Sequence, residues 1–170
     1  MIEPNYSYAR KMARKVLKDY KLNQVPTDLK KLVEGLGLKF IELNDPEDID
    51  GAILEIEGKP KMAVLNTTKS ITRQRFTLAH ELGHIFLNHT KRDVYDGETS
   101  RENEGEFSSK SSKPPKETEA DIFASELLIP YEQLKKHADK LGDLDGLAEL
   151  FQVSKQAMTI AITNYWKYAR

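Results

Sequence analysis

The feature that most constrains this chain is a pair of histidines four residues apart, in the run His80-Glu81-Leu82-Gly83-His84. On an α-helix, residues four apart lie on the same face, so both imidazoles can bind a single cation. Glu81 lies about 100° further around such a helix, where its carboxylate can hold a water instead of the metal. This spacing is the H-E-x-x-H signature of zinc-dependent peptide hydrolysis.

The residues around this signature predict a buried helix. Apolar side chains recur at helical spacing, at Leu78, Ala79, Leu82, Ile85 and Phe86. Gly83 costs such a helix about 1 kcal/mol relative to alanine. A glycine here is explained if a metal site or a neighbouring backbone needs the space. The alternative is a core helix whose histidines are hydrogen-bonded and bind no metal.

A catalytic zinc site also needs a third protein ligand and an open position for water. His89 follows five residues after His84 and points away from the metal face if the helix continues. His137 belongs to a polar helix and is expected at the surface. A second helix over 116–130 carries carboxylates in its first turn and an apolar stripe at Ala120, Phe123, Ala124, Leu127 and Leu128. Packed on the first helix, it can deliver Glu119 to the zinc.

Two runs together resemble the ImmA/IrrE family of metallopeptidases. They are Arg75-Phe76-Thr77-Leu78-Ala79-His80-Glu81-Leu82-Gly83-His84 and Glu119-Ala120-Asp121-x-Phe123-Ala124-x-x-Leu127-Leu128-x-Pro130. The resemblance covers most of the chain, from residue 26 to the C-terminal helices. It implies metal ligands at His80, His84 and Glu119, with Glu81 as the catalytic base.

The resemblance also suggests a supporting residue and leaves one competitor for the third ligand. Asp121 matches a position where the family often has Asn or Asp, so we expect it to hydrogen-bond a ligand histidine. Glu117 lies two residues before Glu119 and roughly 200° away on the same helix. It is the competing ligand, and Glu119 is preferred over both Glu117 and Asp121.

Members of this family are bacterial, phage and mobile-element proteases that cleave helix-turn-helix repressors. The resemblance therefore implies a zinc-dependent endopeptidase with a protein substrate, a helix-turn-helix repressor. Its cleavage would derepress genes of a phage, a mobile element or a stress response. Zn²⁺ is the expected cofactor, although sites of carboxylates and imidazoles also accept manganese or iron.

Composition excludes several other classes of protein. At 170 residues the chain is long enough for one domain with a real core. Its net charge of −1 argues against a protein dominated by nucleic-acid binding, and the lack of cysteine excludes disulfides and thiolate zinc sites. Without an apolar run of membrane-spanning length or a secretion signal, we expect a cytoplasmic protein with no membrane partner.

The patterns predict an α+β fold in which a small three-stranded antiparallel sheet packs on helices, and the resemblance implies that this is a zincin-like metallopeptidase core. Amphipathic helices at 6–22 and from Pro26-Thr27 precede strands at 38–43, 51–57 and 61–66. A turn at 58–60 joins the last two strands in a hairpin. The helix that carries His80 and His84 is expected to begin at a capping residue, either Ser70 or Thr72. A sheet edge beside the zinc could align a substrate peptide as an extra strand.

We expect residues 1–130 to form the metallopeptidase domain, with a flexible insertion at about 90–118. In this insertion Val94, Tyr95 and Phe107 are nearly the only apolar residues. Such a segment buries too little surface to offset its ordering entropy. Because it joins the two metal-binding helices, a substrate-gating lid is the alternative to an idle surface insertion.

Residues 131–170 are predicted to form a helical segment packed on the same domain, with helices at 131–141, 144–151 and 154–169. The last two have helix-turn-helix spacing. The second of them offers few polar or basic side chains to a DNA groove, so direct DNA binding is not favoured. The alternative function is a non-proteolytic regulator that binds a repressor or DNA, with a structural or silent metal site.

Overall fold

The structure of the chain is a computed structural model that describes residues 3–45, 49–89 and 113–168. Over these residues it contains seven α-helices and a three-stranded sheet, which confirms the predicted α+β class. The helices are α1 (Tyr6–Asp19), α2 (Leu29–Gly35), α3 (Ile71–Phe86), α4 (Pro115–Leu128), α5 (Tyr131–Lys135), α6 (Leu144–Phe151) and α7 (Lys155–Tyr168). The strands are β1 (Lys39–Leu43), β2 (Gly51–Leu54) and β3 (Met62–Asn66), and a short 3-10 helix covers Ala138–Lys140. The predicted insertion at 90–118 lies mostly outside the described residues, and so does the lid suggested for it.

Side-chain caps set the amino ends of the first three helices. The carboxamide of Asn5 and the carboxylate of Asp28 each accept a backbone hydrogen bond of 3.0 Å from the first turn of α1 and α2, respectively. Ser70 Oγ accepts a bond of 3.3 Å from Arg73 N, so α3 begins at one of its two predicted caps. Each cap satisfies a backbone N–H that the helix itself cannot pair.

The order of strands in the sheet is β1-β3-β2. The predicted hairpin is confirmed, because β2 pairs antiparallel with β3, with Leu54 opposite Met62. The prediction of a wholly antiparallel sheet is wrong, since β1 pairs parallel with β3, with Lys39 opposite Met62. β3 is buried at four consecutive positions, Ala63 to Asn66, so it takes the centre and the more exposed β1 and β2 take the edges.

Helices α3 and α4 pack so closely at Gly83 that a side chain there would touch the neighbouring backbone. A Cβ built on Gly83 lies 3.2 Å from the carbonyl oxygen of Ala120 and 3.1 Å from the ring of Phe123. Phe123 in turn stacks on Phe86, with ring centroids 5.7 Å apart. The helix-weakening glycine is therefore explained by a neighbouring backbone, one of the two reasons that the sequence suggested.

α4 lies in the middle of the helical layer, against α3 on one side and α1 on another. From the loop before α2, the buried Thr27 Oγ1 donates a hydrogen bond of 2.8 Å to the carbonyl of Leu127. On α1, Arg14 forms an ion pair of 2.8 Å with Glu126. These polar contacts hold α1 and the loop before α2 on the carboxyl half of α4.

The carboxyl-terminal helices contribute to the same apolar core. Leu147, Phe151 and Met158 are almost fully buried in it. Between α6 and α7 the chain turns at Gln152, whose backbone is left-handed with a φ of 52°. Within the described residues, every helix is too short or too polar to span a bilayer. The division into 1–130 and 131–170 stays a prediction.

Replacement of Gly83 by alanine should destabilise the protein by about 1 kcal/mol. Crowding in a packed core costs about 1–3 kcal/mol, and the intrinsic helix gain returns only about 1. Urea unfolding would measure the difference. Gly142→Ala is the matched control, because no atom lies within 4 Å of a Cβ built there. A Gly83→Ala protein as stable as Gly142→Ala would contradict the close packing of α3 on α4.

Candidate metal centre

Two histidines of α3 converge on one point at the interface with α4. His80 and His84 are only 8% and 7% exposed, and their Nε2 atoms lie 3.0 Å apart. Their spacing of four residues brings the two rings to the same face of the helix, as the sequence indicated. Two imidazole nitrogens buried this close together need a shared partner, either a proton or a cation.

Glu117 of α4 completes this group. One of its oxygens, Oε2, lies 3.2 Å from His80 Nε2, and the other, Oε1, lies 3.2 Å from His84 Nε2. Oε1 is buried and makes no hydrogen bond, so its lone pairs are available to another partner such as a cation. A tetrahedral zinc site with bonds of 2.0–2.1 Å has ligand separations of roughly 3.3–3.4 Å. The spacing and chemistry of these donors therefore fit a divalent metal, and the buried trio can hold one.

Glu119, the preferred third ligand from sequence, does not join the two histidines. Its Oε2 lies 3.0 Å from His89 Nε2, and its Oε1 accepts a hydrogen bond of 2.8 Å from Asn5 N. The structure thus brings the competitor Glu117 to the two histidines and places Glu119 beside His89 and Asn5. The reason is the rotation of α4, because Ala120 is the residue that packs on Gly83.

The rotation of α4 about its axis decides which of the two glutamates faces the histidines. Relative to Ala120, a residue three positions earlier lies about 60° around the helix, and a residue one position earlier lies about 100° away in the other direction. Glu117 therefore faces the histidines. Glu119 faces the end of α3 and the start of α1.

Asp121 lies where the sequence analysis expected a supporting carboxylate. Its Oδ1 is 2.8 Å from His80 Nδ1, and its other oxygen binds Lys113 Nζ. A carboxylate accepts, so His80 Nδ1 carries the hydrogen. Such a partner on the outer nitrogen fixes the ring and leaves Nε2 for the centre of the cluster.

Sequence reasoning missed His89, because it assumed that α3 continues past this residue. α3 ends at Phe86, and Asn88 has a left-handed backbone with a φ of 55°. The N–H of His89 then bonds the carbonyl of His84 at 2.9 Å, and that of Asn88 bonds the carbonyl of Ile85 at 3.1 Å. This Schellman turn folds His89 back, so that its Nδ1 lies 2.8 Å from His84 Nδ1. Asparagine just after an apolar helix was the available signal.

The charges of these groups are coupled. Burial by itself would lower the pKa of His80, but its hydrogen bonds to Asp121 and Glu117 outweigh burial and raise the pKa to about 9. Burial opposes ionisation of Glu117, yet the two histidines hold the pKa of its carboxyl well below the usual range. Burial also lowers the pKa of His89, despite its bond to Glu119. Without metal, the imidazole of His80 therefore stays protonated and positively charged at neutral pH.

Two further residues considered in the sequence analysis are Glu81 and His137. Glu81, the expected catalytic base, follows His80 on α3 and is half-buried. His137 takes no part in the cluster. Its Nδ1 lies 2.9 Å from the carbonyl oxygen of Gln133, and its ring meets Phe151 edge-on.

Comparison with known proteins agrees with this architecture. The profile of the IrrE N-terminal-like domain, peptidase family M78, matches residues 34–163. A solved structure described as a Mycobacterium tuberculosis transcriptional regulator is similar over 89% of this chain and 45% of that chain, with a TM-score of 0.63 and 14% identity. This chain therefore spans a little under half of that regulator, and at this identity the likeness concerns the fold. No curated protein sequence matches the chain significantly.

The metal-free protein should lose stability as the pH rises from about 6.5 to about 9. His80 has a folded pKa of about 9 against an ordinary value of 6.5. Its contribution is therefore fully present below pH 6.5 and is lost as the pH passes through the folded pKa. Urea unfolding at several pH values, with a chelator present, would measure this slope. His80→Gln should flatten it, and an equally steep slope in that variant would contradict the assignment.

Proposed function

Because this chain belongs to the IrrE N-terminal-like domain family, peptidase family M78, we propose that it is a zinc-dependent endopeptidase with a zincin-like site. The observation that carries the proposal is the buried trio His80, His84 and Glu117, whose donor atoms lie 3.0–3.2 Å apart. Three protein ligands with two histidines and one glutamate leave room for a water and a substrate, as in catalytic zinc sites.

Zinc held by His80, His84 and Glu117 would supply a Lewis acid, which would polarise a peptide carbonyl and make a water more acidic. Glu81 is the general base in this proposal. Its carboxylate accepts the proton of the attacking water and passes it to the amine that leaves. Asp121 holds the ring of His80 in a fixed orientation through the bond to Nδ1.

The proposed substrate is a protein, bound in an extended conformation along β2. This strand is an edge of the sheet and lies against α3, with Gly51 packed on the side chain of Thr77, three residues before His80. An edge strand can pair with an added peptide through its free backbone groups. A helix-turn-helix repressor is the specific substrate proposed, because the resemblance to ImmA/IrrE proteases implies one.

The second candidate is a regulator that binds a repressor or DNA without cleaving it. It is favoured by the similarity in fold to a protein described as a transcriptional regulator. Salt-sensitive binding to a specific DNA sequence would support it. Proteolysis that depends on Glu81 would decide against it.

Zinc content tests the ligand set. The wild type purified without added metal should hold about one zinc per chain, as a site with three protein ligands predicts. Elemental analysis should find zinc lost in His84→Ala and strongly reduced in Glu117→Gln. Glu126→Gln is the matched control, because Glu126 is a buried glutamate of the same helix that pairs with Arg14. Full zinc content in Glu117→Gln would remove Glu117 from the proposed site.

Cleavage tests the catalytic role. Glu81→Gln should keep its zinc and lose cleavage by on the order of 100-fold or more, which is the usual contribution of a general base. Mass spectrometry of a diverse peptide library and of purified helix-turn-helix repressors, each incubated with the zinc-loaded protein, would measure it. Cleavage products that are equally abundant with wild type and Glu81→Gln would overturn the assignment.

A further inference from the structure

A continuous chain of hydrogen bonds runs from the metal centre to the amino end of α1. His84 Nδ1 lies 2.8 Å from His89 Nδ1, and His89 Nε2 lies 3.0 Å from Glu119 Oε2. The other oxygen of Glu119 accepts the backbone N–H of Asn5 at 2.8 Å. The side chains of His89 and Glu119 are 1% and 8% exposed, so water competes little for these contacts.

The direction of each bond follows from chemistry. An ionised carboxylate only accepts, so His89 Nε2 donates to Glu119. A neutral imidazole has a single N–H, so Nδ1 of His89 is then an acceptor and must receive a hydrogen from His84 Nδ1. In a neutral His84 this leaves Nε2 without hydrogen, and Nε2 is the atom that faces His80 and Glu117.

We propose that His89 and Glu119 are positioning residues that hold His84 in the tautomer able to bind a metal through Nε2. The proposal rests on the metal site of the proposed function and deepens it. Asp121 sets the tautomer of His80 by direct contact, whereas Glu119 sets that of His84 through an intervening histidine. Asn5, the cap of α1, holds Glu119 in place, so the amino-terminal helix belongs to the support of the site.

Glu119→Gln is the informative change, because Glu119 accepts hydrogen bonds from two N–H donors. The single oxygen of a glutamine can face only one of them. If that oxygen faces Asn5 N, the amide NH₂ donates to His89 Nε2, and the hydrogens along the chain reverse. His84 would then carry hydrogen on Nε2. If the oxygen faces His89, the Asn5 N–H loses this acceptor and the glutamine is no longer held from that side.

The experiment compares wild type with Glu119→Gln and His89→Phe, with Glu126→Gln as the matched control. Zinc affinity is measured by competition with a chelator, and thermal unfolding of each metal-free protein shows that it is folded. Long-range ¹H–¹⁵N NMR of the four histidines reports the tautomer of His84 without metal. Absorption of the Co²⁺-loaded proteins reports the ligand set.

We expect zinc affinity to fall by roughly 10- to 100-fold in Glu119→Gln and His89→Phe, the usual effect of losing an outer partner of a ligand histidine. Glu126→Gln should bind zinc as the wild type does. Wild-type His84 should carry hydrogen on Nδ1, and this tautomer should be lost or mixed in Glu119→Gln. At saturating Co²⁺ the spectrum of Glu119→Gln should keep its wild-type shape.

Three results would overturn the proposal. The first is a zinc affinity in Glu119→Gln equal to that of Glu126→Gln. The second is a wild-type His84 with hydrogen on Nε2. The third is a changed Co²⁺ spectrum in Glu119→Gln, which would make Glu119 a direct ligand. Because NMR reads the tautomer without metal, it still decides this proposal if the wild type binds no zinc and the proposed function fails.

Discussion

The contact of α3 with α4 at Gly83 is the constraint on which the rest of the site depends. Without a side chain at residue 83, the backbone at Ala120 lies directly against α3, and this fixes how α4 is rotated. His80 precedes this contact on α3 and His84 follows it, while Glu117 comes from the turn before Ala120. Packing between two helices therefore places the three donors, and α1 and the sheet support these helices from outside.

The same packing gathers charges that would be costly to bury alone. Three carboxylates surround the histidines, and the negative charge of each is balanced by a different partner. Asp121 is paired with Lys113, and Glu119 has the ammonium group of Lys116 at 3.6 Å. Glu117 faces His80 and His84, so without metal its charge is balanced by the proton that His80 retains because its pKa is raised. A divalent cation bound by this trio would replace that proton, so metal binding would be coupled to proton release.

Local patterns were a good guide to single elements and a poor guide to their pairing. The cap at Ser70, the hairpin of β2 with β3 and the helix that carries His80 and His84 followed from neighbouring residues. The parallel pairing of β1 with β3 did not, because turn signals describe consecutive strands and carry no information on which strand lies in the middle. The place of His89 was not predicted either, since it depends on α3 ending at Phe86 and on Asn88 adopting a left-handed backbone.

The sequence by itself determined the chemistry of the candidate centre. Two histidines four apart on an apolar helix face the same way whatever surrounds them, because the helical period is a local property of the backbone. Which glutamate meets them was decided only in the tertiary structure. Glu117 and Glu119 lie on one helix, and their roles depend on how that helix is rotated when Ala120 packs on Gly83. That rotation follows from contacts between residues far apart in sequence, which no periodicity within either helix can reveal.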